Sequence, residues 1–255
     1  MERSLTLLLF IMLVGMPYTK AQTNDFGAWY ELGAEKKISR NWNIGAETAL
    51  RTRNNSRTLD RWSMGINAEY KLFKGLKVSA GYNFLYDNNV EEFDFKKDGL
   101  RPNKWTPSYW GVRHRFSVAL TGSTTLGRLG ISLRERWQYT YRPEVNGKKY
   151  DFDNETWTSI KGKGKNVLRS RLKLEYDFPH WKFDPIAGFE IFNDKNGIQK
   201  TRYQIGTEYK YQKHHVFSLT YYLQNTNEND DDGDMNSNIL SIGYKYKFSF
   251  FSHCN

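Results

Sequence analysis

Long runs of strict alternation constrain this chain more than any other feature. From Val167 to Phe178, Leu168, Ser170, Leu172, Leu174, Tyr176 and Phe178 share one face, and Arg169, Arg171, Lys173, Glu175 and Asp177 share the other. A period of two marks a strand, because successive side chains point to opposite faces. Arg61–Leu72, Leu76–Asp87 and the run from Ile239 to Phe250 repeat the pattern. Further runs near 26–36, 42–53, 109–122, 127–142, 181–193, 198–210 and 214–225 bring the count to eleven. Most exceed the usual globular strand of about five or six residues. They match the length that a tilted strand needs to cross a bilayer, about 9–11 residues.

The segment ahead of these runs reads as an address. Arg3 supplies a positive start, Leu5–Val14 an apolar stretch of signal-peptide length, and Thr19-Lys20-Ala21 a small residue for cleavage. Residues 1–21 are therefore expected to be a signal peptide, and 22–255 the mature domain. A mean hydropathy of −0.76 excludes a bundle of membrane helices. Aromatic residues make up 16% of the chain, which excludes a disordered polymer that lacks apolar surface to offset ordering entropy. The single cysteine, Cys254, excludes a disulfide scaffold or a cysteine zinc site. The net charge of +10 suits nucleic acid, anionic lipid or an acidic ligand, and export removes nucleic acid from that set.

The connections alternate as well. Short links fall near 37–41, 73–75, 123–126, 179–180 and 211–213, and polar, mostly longer ones at 54–60, 87–108, 143–166, 194–197 and 226–238. Short turns at one end and long loops at the other mark an outer-membrane barrel. The apolar face carries rings near strand ends (Trp42, Trp62, Trp110, Trp137, Tyr139, Tyr141 and Trp181), as a headgroup girdle requires. The expected fold is all-β, an antiparallel transmembrane β-barrel with short periplasmic turns and long outer loops, placed in the bacterial outer membrane. Bacterial single-chain barrels have even strand numbers. Eleven runs therefore imply about twelve strands, one being missed, or ten, with Asp25–Glu35 packed inside.

Phe26-Gly27-Ala28-Trp29-Tyr30-Glu31, then Lys36-Lys37-Ile38-Ser39-Arg40-Asn41-Trp42 and Glu47–Arg53, resemble the start of an uncharacterised barrel family, domain-of-unknown-function family 2490. Arg61-Trp62 and the closing Gly243-Tyr244-Lys245-Tyr246-Lys247-Phe248 are similar in style. The resemblance implies an outer-membrane barrel and carries no activity, cofactor or site residue.

Candidate chemistry lies on the polar face. Arg113 and Arg115, Arg134 and Arg136, and Arg169 and Arg171 are expected to point into the lumen, with Glu175, Glu190 and Glu208 among the interspersed acids. Such a ladder is either a path for a small anionic solute or a cross-strand salt-bridge network filling a narrow barrel; the second reading is favoured. Two polar residues break the apolar face, His114 and Glu135. A turn at Thr124–Thr125 would set them opposite each other at the far membrane interface. The rival function is then a lipid hydrolase or deacylase at the lipid-facing surface. Acyl transfer needs a nucleophile beside its base, and neither 112 nor 116 is serine, while Ser132 is expected to face the lumen. The loop with Asp230, Asp232 and Asp234 resembles half of a calcium loop without the closing glutamate, so no metal or cofactor is expected. The expected role is non-catalytic: structural, binding or narrow-pore. The expected partners are outer-membrane lipid, lipopolysaccharide and the barrel-assembly machinery.

An apolar band around every strand would be a large exposed patch in water. The folded chain is therefore expected to need detergent or lipid and to migrate faster than its boiled form on an SDS gel. A folded, detergent-free soluble monomer would contradict this reading.

Overall fold

A computed structural model describes residues 25–179, 181–227 and 236–248. The signal-peptide segment, Asp230, Asp232, Asp234, Phe250 and Cys254 lie outside the described residues. The strands, in chain order, are β1 (Asp25–Lys37), β2 (Trp42–Arg53), β3 (Thr58–Phe73), β4 (Leu76–Asn89), β5 (Glu92–Phe95), β6 (Pro102–Thr106), β7 (Tyr109–Leu126), β8 (Leu129–Arg142), β9 (Val145–Asp151), β10 (Thr156–Ile160), β11 (Lys163–Tyr176), β12 (Phe183–Asp194), β13 (Gly197–Tyr211), β14 (His215–Thr226) and β15 (Ser237–Phe248). The four short ones, β5, β6, β9 and β10, form a separate sheet built from the two longest loops.

The remaining eleven close into one barrel, in the order β1, β2, β3, β4, β7, β8, β11, β12, β13, β14, β15 and back to β1. The count is eleven, not the twelve or ten expected. An odd ring cannot alternate direction all the way round, so one neighbouring pair must run parallel. That pair is β1 with β15, from Asp25 opposite Ser237 to Lys36 opposite Phe248. Residues 25–35 therefore belong to the wall and are not packed inside. On its other side β1 pairs antiparallel with β2. With the first and last strands parallel, Asp25 lies at the loop rim and Phe248 at the short-turn rim.

The start of β1 is tied to its neighbouring turn. Asn54, Asn55 and Ser56 all have positive φ (54°, 54° and 61°), a left-handed run that is costly for residues with a Cβ. Asp25 offsets that cost. Its carboxylate accepts the backbone N–H groups of Asn54 (2.8 Å) and Asn55 (2.9 Å), and Ser56 donates to the Phe26 carbonyl (2.9 Å).

The β7–β8 hairpin corrects a second expectation. The polar run Gly122-Ser123-Thr124-Thr125 reads as a turn, yet it stays paired, with Ser123 opposite Ser132 and Leu126 opposite Leu129. The chain reverses at Gly127-Arg128, where Gly127 takes φ 61°, as the first central residue of a type II′ hairpin turn does. The register moves by six residues. His114 lies opposite Tyr141, and Glu135 lies opposite Leu120, so the two are not partners. The loop-side connections also differ in length from expectation. Residues 54–57 and 195–196 are tight turns, and only the longer connections carry extra structure.

The outer face is apolar, with Leu32, Ile44, Ile66, Leu120, Leu133, Leu172, Ile205, Leu219 and Ile242 all exposed. Rings bound this band at both ends. Trp42 packs on Tyr70 and Trp181 on Phe183 toward the short turns, while Trp110 stacks on Tyr86 toward the loops. The loop sheet has its own aromatic cluster of Phe93, Trp105, Tyr150 and Trp157, with Lys149 bonded to Asp94 at 3.0 Å and Lys96 to Asp153.

Leu172 faces outward between Leu133 and Phe189, whereas Ser132 lines a cavity of about 320 Å³ at the short-turn end of the lumen. An arginine facing hydrocarbon at mid-height costs about 2–4 kcal/mol. Leu172→Arg is expected to lower the heat-modifiable folded fraction well below that of Ser132→Arg. Equal fractions would mean that the two faces are assigned the wrong way round.

Candidate functional site: an arginine layer in the lumen

Alternation sends every second side chain inward, and at mid-height those side chains are mostly arginines. In the register of β8 with β11, Arg136 lies directly opposite Arg169, and Arg134 opposite Arg171. Like charges set opposite each other on adjacent strands are destabilising. Glu190 on β12 offsets part of this repulsion. It lies opposite Arg171 on one side and Arg202 of β13 on the other, and it is fully buried. Arg169 Nη2 donates to both carboxylate oxygens (2.6 and 2.7 Å), Arg202 Nη1 to one (3.4 Å), and Arg171 Nε stands at 3.8 Å. Among the described residues, neither Arg134 nor Arg136 has a carboxylate within 4.0 Å.

Aromatic rings hold the other faces of these guanidiniums. Trp29 of β1 points inward and packs on Tyr222 of β14, with ring centroids 5.3 Å apart. Arg51 of β2 lies 4.0 Å and Arg202 4.9 Å from the Trp29 ring. Phe192 receives Arg169 at 4.9 Å and Arg202 at 5.1 Å. Side chains from β1, β2, β11, β12, β13 and β14, all on one arc of the wall, thus meet inside the lumen. A guanidinium over a ring gains about 0.5–2 kcal/mol when desolvated. Close approach also shapes the opposite wall. At Gly65 of β3 an added Cβ would run into the Asn83 amide, which donates to Glu47 at 3.2 Å.

The other candidates fall into separate groups. Arg113 pairs with Asp87 (3.0 Å), which also takes a two-pronged contact from Arg61. Arg115 donates to the Thr140 hydroxyl (3.0 Å). Glu175 and Glu208 do not serve the arginine ladder. Lys173 bridges them at 3.1 and 3.2 Å, and Lys210 joins Glu175 (3.1 Å) to Asp184 (2.6 Å), all in the short-turn half. The lumen therefore has a lysine–carboxylate layer near one end and an arginine layer around a single glutamate above it.

On the outer face His114 sits among rings. Its Nδ1 is 2.8 Å from the Tyr82 hydroxyl, and Phe84 packs edge-on. Glu135 instead accepts the Ser170 hydroxyl at 2.6 Å. Counted from the Gly127–Arg128 turn, Glu135 lies about 18 Å along the barrel axis, within the apolar band. The His–Glu pair on which an acyl-transfer reading would rest is not formed. Among the described residues there is no cluster of three or more metal-ligating side chains.

Several lumen residues here are not among the candidates that the sequence singles out: Trp29, Arg51, Arg61, Asp87 and Arg202. Arg202 was out of reach, since counting back from the tight turn at 195–196 sets Glu190 against Thr201, and a bulge between Phe192 and Asn193 shifts the pairing to Arg202. Trp29 was out of reach too, because a tryptophan in an alternating run reads as a girdle residue unless the parity of β1 is known.

A closed barrel with an apolar outer face and a charged interior is the architecture of outer-membrane β-barrel proteins. This chain belongs to the family described as "Protein of unknown function (DUF2490)", whose family model matches residues 26–236. Among solved structures it is similar to the β domain of the Bordetella autotransporter BrkA, with 10% identity, a TM-score of 0.51 and 82% of each chain covered. A porin aligns at 11% identity with a TM-score of 0.34, over 76% of this chain and 56% of the porin. No curated protein sequence matches the chain.

Neutralising Glu190 leaves five arginines (Arg134, Arg136, Arg169, Arg171 and Arg202) without the carboxylate at their centre. Breaking a buried ion pair by deleting one partner costs about 3–5 kcal/mol. Glu190→Gln is expected to lower the temperature of the heat-modifiable shift strongly. Glu208→Gln, in the more exposed lysine layer, should lower it much less. Similar losses for the two would mean that Glu190 is not the keystone of the layer.

Proposed function

We propose that the protein is an outer-membrane barrel whose lumen is closed at mid-height, and that it works by binding and not by conduction or catalysis. Met1–Ala21 serves as its export signal, residues 22–255 are the mature outer-membrane domain, and outer-membrane lipid, lipopolysaccharide and the assembly machinery are its surroundings and partners. The supporting observation is the layer around Glu190, in which a fully buried carboxylate is gripped by Arg169 and Arg202 while Arg51 and Arg202 share the Trp29 ring. Cavities lie on either side of this layer, about 100 Å³ toward the loops and about 320 Å³ toward the short turns, with no lining residue in common. An eleven-stranded wall is near the size at which side chains fill the interior.

Planar-bilayer recordings of the purified protein are expected to show little or no steady conductance. Replacing both Arg51 and Arg202 by alanine removes two side chains that fill the lumen at this layer and should raise it. A stable, open, anion-selective channel in the wild type would overturn this function.

A further inference from the structure

We propose that the short-turn rim of the barrel binds the phosphate headgroups of anionic phospholipids in the leaflet that surrounds it. The inference rests on the outer-membrane reading and goes beyond it by naming the lipid class and the residues that select it. The connections at this end are 38–41, 74–75, 127–128, 177–182 and 212–214. Each carries a single cation, in turn Arg40, Lys74, Arg128, Lys182 and Lys213, and all five are exposed. None of the five has a carboxylate within 4.0 Å among the described residues. Asp177 is the one carboxylate in these connections. The rim is thus a ring of positive charge with one cation at every turn.

Two observations point to lipid and not to a soluble acidic partner. The first is the neighbour of each cation. Within two residues of each stands a large apolar side chain, Trp42, Phe73, Leu126, Trp181 and Tyr211 in the same order, and all five are exposed. An apolar body beside a charged tip is the arrangement that lies at a membrane interface, with the body in the acyl boundary and the charge among the headgroups. A water-soluble acidic partner would need the cations alone. The second is the contrast between the two rims. In the loops and their sheet carboxylates are nearly as numerous as cations, and several are tied to them, as in Lys149 with Asp94 (3.0 Å) and Arg101 with Asp98 (2.7 Å). At the short-turn end the paired cations, such as Lys77 with Glu69 (2.9 Å) and Lys210 with Asp184 (2.6 Å), sit on strands and not in the turns. Of the two rims, the short-turn one therefore carries the excess of positive charge, at the level of one leaflet's headgroups. An anionic lipid surface attracts such a set of cations over a Debye length.

The test uses the full chain folded in detergent and native mass spectrometry with phosphatidylglycerol or phosphatidylcholine of the same acyl length. Phosphatidylglycerol is expected to bind at least tenfold more tightly than phosphatidylcholine, with a preference that falls as ionic strength rises. Arg40→Gln, Lys74→Gln, Arg128→Gln, Lys182→Gln and Lys213→Gln combined should reduce that preference at least fivefold. Lys97→Gln, Lys148→Gln and Lys195→Gln combined, at residues exposed at the loop end, should leave it unchanged. Should the combined turn variant fail to fold, the five single variants carry the test, and each should lower the preference in part. Equal binding of the two lipids, or folded turn variants that keep the wild-type preference, would overturn the inference. Binding of poly-glutamate through the same five cations without a preference for phosphatidylglycerol would assign the ring to a soluble acidic partner and overturn it as well. A chain that folds as a detergent-free soluble monomer overturns the outer-membrane reading itself, whereas a barrel that needs detergent and treats the two lipids alike overturns the lipid site alone.

Discussion

Inside a hydrocarbon layer no water is available to satisfy a backbone N–H or C=O, so a spanning sheet can leave no open edge. The whole structure depends on meeting that condition. Eleven strands supply ten antiparallel interfaces, and the eleventh must join two strands that run the same way. The facing of β1 is set by its pairing with β2 and is matched by β15 at the seam. That register places Trp29 in the lumen, and Trp29 in turn is the platform on which Arg51 and Arg202 converge.

The interior inverts the usual logic of a protein core. Apolar side chains point out, and the buried groups include Arg113, Glu190, Arg202, Gln204 and Gln224. Hydrophobic burial cannot hold such an interior together, so charge-assisted hydrogen bonds and cation–π contacts take its place. These are directional, and a small change in register would misalign several at once. The two layers also differ in kind. Lysine ammoniums bridging Glu175, Glu208 and Asp184 form a nearly balanced, partly hydrated set, whereas the arginine layer concentrates positive charge on one dry carboxylate.

Much of this was legible in the alternation. The eleven runs correspond to the eleven wall strands, and the inward facing of Arg134, Arg136, Arg169 and Arg171 follows from their parity with outward Leu133, Trp137, Leu168 and Leu172. What failed was register. Gly122-Ser123-Thr124-Thr125 has turn composition, but backbone pairing carried the strands past it to Gly127. That error moved His114 away from Glu135 and hid the Ser170 contact. Strand parity failed in one further place. An even count presumes that every pair is antiparallel, and nothing in the residues of β1 marks it as parallel to β15. The two extra hairpins in the long loops were hidden for another reason: four to seven residues are too few for a period to show.

The parallel seam also shapes the order of folding. Hairpins such as β7–β8 can zip from their own turns, because their contacts are local. The seam joins residues more than two hundred positions apart, the costliest kind of loop closure in a search from the unfolded chain. Both of its strands must remain as edges until the rest of the wall exists, and an unpaired edge is a template for wrong partners. The Asp25 carboxylate, clamped on Asn54 and Asn55, fixes the start of β1 against its own neighbour before β15 arrives. A one-residue slip of β1 against β2 would turn Trp29 outward and Tyr30 inward and present the wrong face to β15. The clamp at the loop rim is thus a register stop for the last zipper to close.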